Sequence, residues 1–200
     1  MQRIAVADRR AALLAAAVRV IARDGMARAS TRAIAAEAGM PLASFHYVFA
    51  SYDAMVEQLV AAVLADQQEE VAAAVDAAPT LHDYAVGALH GWLDRAAALP
   101  EQELALHELL AWSRSAPGVG DLAAAVYARY AESVGSFVAG AEERFGVRWR
   151  VPSPDVARFV LVITDGVAAR WIVDRDDPAA RRALTLGAEA VLGLVEEADV

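Results

Sequence analysis

The stretch Thr31–Phe49, reading TRAIAAEAGMPLASFHYVF, constrains the fold of this chain more than any other. Ile34, Ala35 and Ala38 recur on one face of a short helix, with Arg32 and Glu37 off that face. Gly39 follows, a residue that tolerates the positive φ a sharp helix end needs. Pro41, with no backbone N–H, suits the turn or the first position of the next helix. Leu42–Val48 is a second short helix that places Phe45 and Phe49 one turn apart. Burying those rings against Ile34 and Ala38 leaves Ala43, Ser44, His46 and Tyr47 facing outward. Two short helices, a Gly turn and an exposed second helix make a helix-turn-helix.

The charge supports that reading once it is divided. The net charge is −9, yet residues 1–50 hold seven Arg against three acids, a net of +4, while residues 51–200 carry −13. A basic head can approach phosphates while an acidic body resists nonspecific adsorption. Every basic residue is Arg and none is Lys. The absence of Cys excludes disulfides and thiolate metal sites. The most apolar run, Phe159–Val173, is broken by Asp165 and Arg170 and is too short to span a bilayer. No signal peptide opens the chain, and the expected location is the cytoplasm, away from any membrane.

Periodicity predicts helices throughout. The first runs from about Val6 to Arg23, with Leu13, Leu14, Ala17, Val18 and Ile21 as its stripe; Gly25 ends it and Ser30 caps the next. Ser51 caps a long fourth helix, Tyr52 to about Asp76, with Met55, Leu59, Val71 and Val75 on its apolar side and a polar middle from Asp66 to Glu70. Thr80 and Asp83 resemble a capping box that opens a helix to about Ala98. Further helices follow from Glu101 to Ser113, from Asp121 to about Phe145 (Leu122 on its stripe), from Ser153 to about Val173, and from Asp177 to about Glu197. Ser115–Gly120 is read as a loop and Gly146–Ser153 as irregular. No strand pattern and no internal repeat appear.

From about Ala5 to Leu59 the chain resembles the DNA-binding region of the tetracycline-repressor-like (TetR) family of bacterial transcription regulators. The matching pieces are Arg23-Asp24-Gly25, Ser30-Thr31-Arg32, Ile34-Ala35, Ala38-Gly39, Phe45-His46-Tyr47-x-Phe49 and Ser51-Tyr52-Asp53-Ala54-Met55-Val56. Two positions depart from the pattern: the family usually has Tyr at His46 and Lys at Tyr52. The phosphate contact of that Lys then falls to the Tyr52 hydroxyl or to backbone N–H groups of the fourth helix. The resemblance implies an all-α protein. Residues 1–53 would form a helix-turn-helix DNA-binding domain, joined by the long fourth helix to a ligand-binding and dimerisation domain in 54–200. It further implies a regulator, expected to be a repressor, that binds a pseudo-palindromic operator as a dimer and is released by a small-molecule inducer.

The candidate DNA-contacting residues are Arg28, Ser30, Thr31, Arg32, Leu42, Ala43, Ser44, His46, Tyr47 and Tyr52. Arg28 and Arg32 flank a helix N-terminus, where backbone donors add to their charge. Ser44 and Tyr47 offer hydrogen bonds to base edges or phosphates, Ala43 contact to a thymine methyl, and His46 a donor to phosphate. The candidate ligand-binding residues, on the middle helices, are Trp92, His107, Trp112, Tyr127, Tyr130, Phe137 and Phe159. The last two helices are apolar on more than one side, which predicts a homodimer packed through them as a four-helix contact. Gly166, Gly187 and Gly193 are candidates for close helix approach. No cofactor is expected. An enzyme or ligand carrier that retains the N-terminal bundle is the rival class. It finds little support, because His82, His90 and His107 sit on separate turns or helices, only Glu103 with His107 has i,i+4 spacing, and neither a dinucleotide fingerprint nor a GxSxG elbow is present.

Overall fold

The computed structural model describes residues 5–113 and 120–196, with side chains from residue 124 onward in the second stretch. Among the described residues lie nine α-helices: α1 Val6–Asp24, α2 Thr31–Glu37, α3 Leu42–Val48, α4 Tyr52–Val75, α5 Leu81–Ala98, α6 Pro100–Ser113, α7 Gly120–Phe145, α8 Ser153–Asp174 and α9 Asp177–Leu192. A 3-10 turn, Met26–Arg28, links α1 to α2. The all-α expectation holds. The loop read at Ser115–Gly120 lies, up to residue 119, outside the described residues, as does the Leu122 side chain.

Two compact units divide the helices. One comprises residues through Val63 together with Pro100–Val126; the other comprises Leu64–Leu99 together with Tyr127 onward. This differs from the expected division at residue 53. The start of α4 belongs with the N-terminal helices, because Met55, Val56, Leu59 and Val60 are all at most 1 % exposed. α6 belongs there too: it packs on α1 and on the 3-10 turn, with Ala105, Leu106 and Leu109 buried. Periodicity shows that a helix has an apolar face and not which neighbour covers it.

The core of the first unit is tightly closed. Leu13, Ile21, Ile34, Phe45, Phe49, Met55 and Leu59 are each at most 1 % exposed, and each such side chain contributes about 1.5–3 kcal/mol by leaving water. Ala35, rather than the expected Ala38, is the buried alanine beside Ile34.

In the second unit, α5 packs on α9 and α8 on α9, around Leu89, Leu93, Trp171, Leu184 and Ala188. Of the three glycines considered for close approach, Gly187 provides it: a Cβ there would lie 2.7 Å from Ile163 Cγ2. Gly166 faces open space, and Gly193 is the C-cap of α9. The middle of α4 is less solvated than its composition suggests. Gln67 is buried, and Asp66 pairs with the buried Arg95 at 2.9 Å. Thr80 Oγ1 accepts from Asp83 N–H at 3.1 Å and donates to Asp83 Oδ2 at 2.6 Å. The acid therefore holds the capping hydroxyl and does not reach back to the Thr80 N–H.

α9 stops at Leu192, short of the expected Glu197, which is itself outside the described residues. Beyond Gly193 the chain turns back, and Val195 pairs antiparallel with Trp149. Arg150 N–H donates to Leu194 O at 2.7 Å, and Glu196 N–H to Arg148 O at 2.8 Å. The segment read as irregular therefore holds an isolated bridge. Its alternation Val147-Arg148-Trp149-Arg150-Val151 is a short period-two pattern that the helical reading passed over.

Candidate functional site

The turn between α2 and α3 sets the geometry of the first candidate site. Ser30 caps α2, its Oγ accepting from Ala33 N–H at 3.2 Å. At the other end Gly39 takes φ +65°. Gly39 N–H donates to Ala36 O at 3.0 Å and Met40 N–H to Ala35 O at 2.9 Å, the paired bonds of a Schellman ending. Pro41 is the N-cap residue of α3, extended at φ −60°, ψ 146°.

With Phe45 and Phe49 in the core, their rings 5.2 Å apart, the outer edge of α3 is set. Ala43, His46 and Tyr47 are exposed, Tyr47 at 67 %. Leu42 and Ser44 are half-buried, so Ser44 is less outward than expected. Arg28, Ser30 and Arg32 are exposed and Thr31 half-buried. One residue joins this edge unannounced by the sequence: the Arg9 guanidinium of α1 lies 5.6 Å from the Tyr47 ring centroid. A cation over that ring favours a fixed Tyr47 orientation. Helical periodicity marks the apolar face of α1 and is silent on which partner Arg9 meets.

The arginines divide into two groups. Arg19 Nε lies 2.9 Å from Glu37 Oε1, and Arg23 Nη1 lies 3.0 Å from Glu37 Oε2. Arg23 also holds Asp24 at 2.9 Å. The hydrogen bond from Arg19, then that from Arg23, keeps the Glu37 carboxyl below its usual range. These two arginines therefore tie α1 to α2. Arg9, Arg10, Arg28 and Arg32 make no ion pair with a described residue; Arg10, Arg28 and Arg32 are exposed, and Arg9 is half-buried against Tyr47.

Tyr52 requires a correction. Its hydroxyl is enclosed and has no hydrogen-bond partner among the described residues. Burial, with a smaller contribution from the charge of Asp53, pushes it up to about 12. A hydroxyl shut inside cannot reach a phosphate, so the Tyr52 side chain leaves the contact set. The backbone N–H groups that open α4 remain, beside the Ser51 cap that accepts from Ala54 N–H at 3.0 Å.

The second candidate site is a pair of cavities in the second unit. One, of about 70 Å³, is walled by Leu81, Tyr84, Phe137, Val138, Ala141, Trp149, Val191 and neighbouring apolar residues. The other, of about 80 Å³, is walled by Gln67, Gln68, Val71, Trp92, Tyr130, Ser133, Thr164 and others. They share Ala88, Leu89, Val134, Phe137 and Val160. Trp92, Tyr130 and Phe137 of the expected set therefore line cavities. The other four are outside these two walls: His107 and Trp112 lie on α6 in the first unit, and Tyr127 and Phe159 are 44 % and 37 % exposed. Tyr84, Trp149, Gln67 and Gln68 are wall residues outside the expected set. Tyr84 donates to Phe137 O at 3.1 Å; its hydroxyl is raised by burial, against the pull of Arg144.

Among the described residues no cluster of three or more metal-ligating side chains occurs. No described helix is by itself long and apolar enough to cross a membrane.

Comparison with known proteins bears on the family and on the fold. The family described as "Bacterial regulatory proteins, tetR family" matches residues 13–59. The HTH-type nicotine-responsive transcriptional repressor HdnoR of Paenarthrobacter nicotinovorans is 31% identical over 176 residues, covering 88% of this chain and 90% of its own. Among solved structures, FadR from Bacillus subtilis in complex with stearoyl-CoA is similar with a TM-score of 0.75 at 12% identity, over 93% of this chain and 99% of that one. A TetR transcription regulator from Haloarcula marismortui reaches 0.72 at 17%, over 95% and 100%. At these identities the structural likenesses speak for the fold.

Proposed function

The chain belongs to the TetR family of transcriptional regulators, and from that premise we propose that it represses transcription as a cytoplasmic homodimer, released from a pseudo-palindromic operator by a small molecule. The observation that carries this reading is the outer edge of α3. Ala43, His46 and Tyr47 stand exposed while Phe45 and Phe49 anchor the helix from behind. Arg28 and Arg32 supply phosphate contacts beside the Ser30 hydroxyl, whose proton remains available after its oxygen has capped α2. Thr31, Leu42 and Ser44, at the edges of the two helices, complete the surface with shorter reach.

Dimerisation follows from an uncovered stripe. Phe159, Val162, Gly166, Ala169 and Val173 recur at spacings of three and four on α8 and are all exposed. Leu186 stands 66 % exposed on α9. A second copy that presents the same surface would cover both helices. Two reading helices then meet successive major grooves about 34 Å apart.

Ligand response is supported by a relative that responds to nicotine, and by Gln67, Gln68 and Val71 of α4 in a cavity wall. A ligand that pushes on those side chains shifts the helix whose first turns hold the DNA-reading head. A coupling of about 1–3 kcal/mol changes operator affinity by several-fold to about a hundredfold.

A gel shift against the DNA flanking the gene tests the reading. The native chain should bind it, and Arg32→Ala and Tyr47→Ala should each weaken binding about tenfold, about 1.4 kcal/mol, without loss of helical signal. Unaltered binding by both variants would remove α3 from the interface.

A further inference from the structure

The cavity on the α4 side holds a buried amide that the protein leaves unpaired. Gln67 stands in the wall of the space of about 80 Å³ and is only 8 % exposed. Its side chain has no hydrogen-bond partner among the described residues. The unpartnered side-chain atoms that are wholly enclosed are the Tyr52 hydroxyl and the Trp149 indole nitrogen. The Gln67 amide is not one of them, so a molecule the size of water can still touch it, and the space that Gln67 borders is this cavity. A buried amide with neither its N–H groups nor its oxygen engaged costs stability and calls for an explanation. Thr164, in the same wall, adds to the pattern. Its hydroxyl proton goes to Val160 O at 3.2 Å or Leu161 O at 3.1 Å, which leaves its oxygen able only to accept.

We propose that this cavity takes a neutral aromatic amide, and that the Gln67 side chain pairs with it, N–H to the ligand's carbonyl and oxygen to the ligand's N–H. The proposal deepens the reading of this unit as a small-molecule sensor and rests on it. A primary amide presents a donor and an acceptor side by side. A ligand with a carbonyl next to an N–H meets both at once, whereas an acceptor alone leaves the Gln67 oxygen unmet. Neutrality follows from the wall, which contains no charged side chain; a carboxylate or ammonium would lose its hydration there with no counter-charge. The aromatic part follows from Trp92, Tyr130 and Phe137, whose rings line the same space. Phe137 is half-buried and also borders the adjoining space of about 70 Å³, so its turning aside makes room for the ligand's ring.

Benzamide, acetophenone and benzoate provide the test, since they share an outline and only benzamide sets a carbonyl beside an N–H without charge. NMR titration of the full chain should show benzamide bound about five- to tenfold more tightly than acetophenone, the effect of one further hydrogen bond to a group otherwise buried unpaired. Benzoate should bind more weakly still. Gln67→Leu should bring the two neutral compounds to within about twofold of each other. It should also melt no lower than the native chain, because it removes an unpaired polar group; Gln67→Met serves as a second apolar replacement. The chain has five Gln and no Asn, so one of five side-chain NH₂ pairs in the ¹⁵N-labelled native protein should shift with benzamide. Equal affinities for benzamide and acetophenone, a preference that survives both replacements, benzoate bound as tightly as benzamide, or five unmoved pairs would each overturn the pairing. Loss of folding in both variants would overturn it too, by making Gln67 a structural residue. These measurements contain no DNA, so their failure is distinct from a failed gel shift, which would overturn the regulator reading instead.

Discussion

The two units use the same material, amphipathic helices rich in Ala, Leu and Val, to opposite ends. In the first, large side chains are shut to 1 % exposure or less, and Arg19, Arg23 and Glu37 fasten α1 to α2. In the second, two cavities lie back to back across Phe137, and the Trp149 donor is left unmatched. On the proposed reading, a surface that presents Tyr47 to a DNA groove needs fixed geometry. A sensor needs packing that can rearrange at modest cost, and voids are where such slack resides.

The widest gap between the units should appear on removing a ring from each. Phe45→Ala empties a fully enclosed site and should cost about 3–5 kcal/mol. Phe137→Ala, at a half-buried side chain that already borders empty space, should cost only about 1–2 kcal/mol, because fewer contacts are lost there. Urea unfolding of both variants measures the difference, and equal losses would break the contrast.

The same contrast explains what could be read from the sequence. The reading head was legible because its determinants are local: Gly39 at φ +65°, Ser30 capping Ala33, and two Phe one turn apart all act within a few residues. The helix order was legible for the same reason. The sensor was not, because a wall is assembled from residues far apart in the chain. Trp92, Tyr130 and Phe137 were found by being aromatic in the middle helices, a criterion that admitted His107 and Trp112 from the other unit as readily. Trp149 sits outside any helix and could be recognised as a wall residue only after Val195 had folded back on it. Tyr52 failed differently. Its position in the motif suggested a surface contact, and only packing shows its hydroxyl enclosed.

Next in size is the uncovered stripe, which the sensor has and the reading head lacks. Val162→Glu together with Leu186→Glu puts charges on residues 63 % and 66 % exposed in the single chain, so the fold should survive. Sedimentation should then report one chain mass where the native protein should give two. Operator affinity should fall about a hundredfold, because the second reading helix loses its tethered proximity. A double variant that remains dimeric would remove α8 and α9 from the interface.

A smaller effect sharpens the account of the turn. At Gly39 an added Cβ would meet nothing within 4 Å, so Gly39→Ala should cost only the left-handed backbone penalty, about 1–2 kcal/mol. Gly25 is harder to replace. Its φ of 77° and ψ of 163° fall in a region that is essentially confined to glycine, and a Cβ would lie 3.4 Å from Glu108 Oε2. Thermal unfolding should therefore rank Gly25→Ala below Gly39→Ala, with Gly39→Asn closest to native. Gly39→Asn falling below Gly39→Ala would mean that the left-handed backbone is not what this turn requires.

The smallest effect is expected from acid, and it tests whether the fastening of α1 to α2 adds to stability at all. Hydrogen bonds from Arg19 and then Arg23 hold Glu37 below its ordinary value of 4.5, and the bond from Arg23 does the same for Asp24 below 3.8. A carboxyl depressed in the folded state adds stability that is fully present above its ordinary value. That stability is lost as pH falls through the folded one. The first unit should therefore keep its melting temperature from neutrality down to about pH 5 and lose some of it below about pH 4. Glu37→Gln should flatten that descent. Both carboxyls are half-buried yet open to solvent, so salt near 1 M should flatten it too, its screening length being about 3 Å. A descent equally steep in Glu37→Gln and in salt would show that these ion pairs position the helices without stabilising them, leaving the rigidity of the reading head to its apolar core alone.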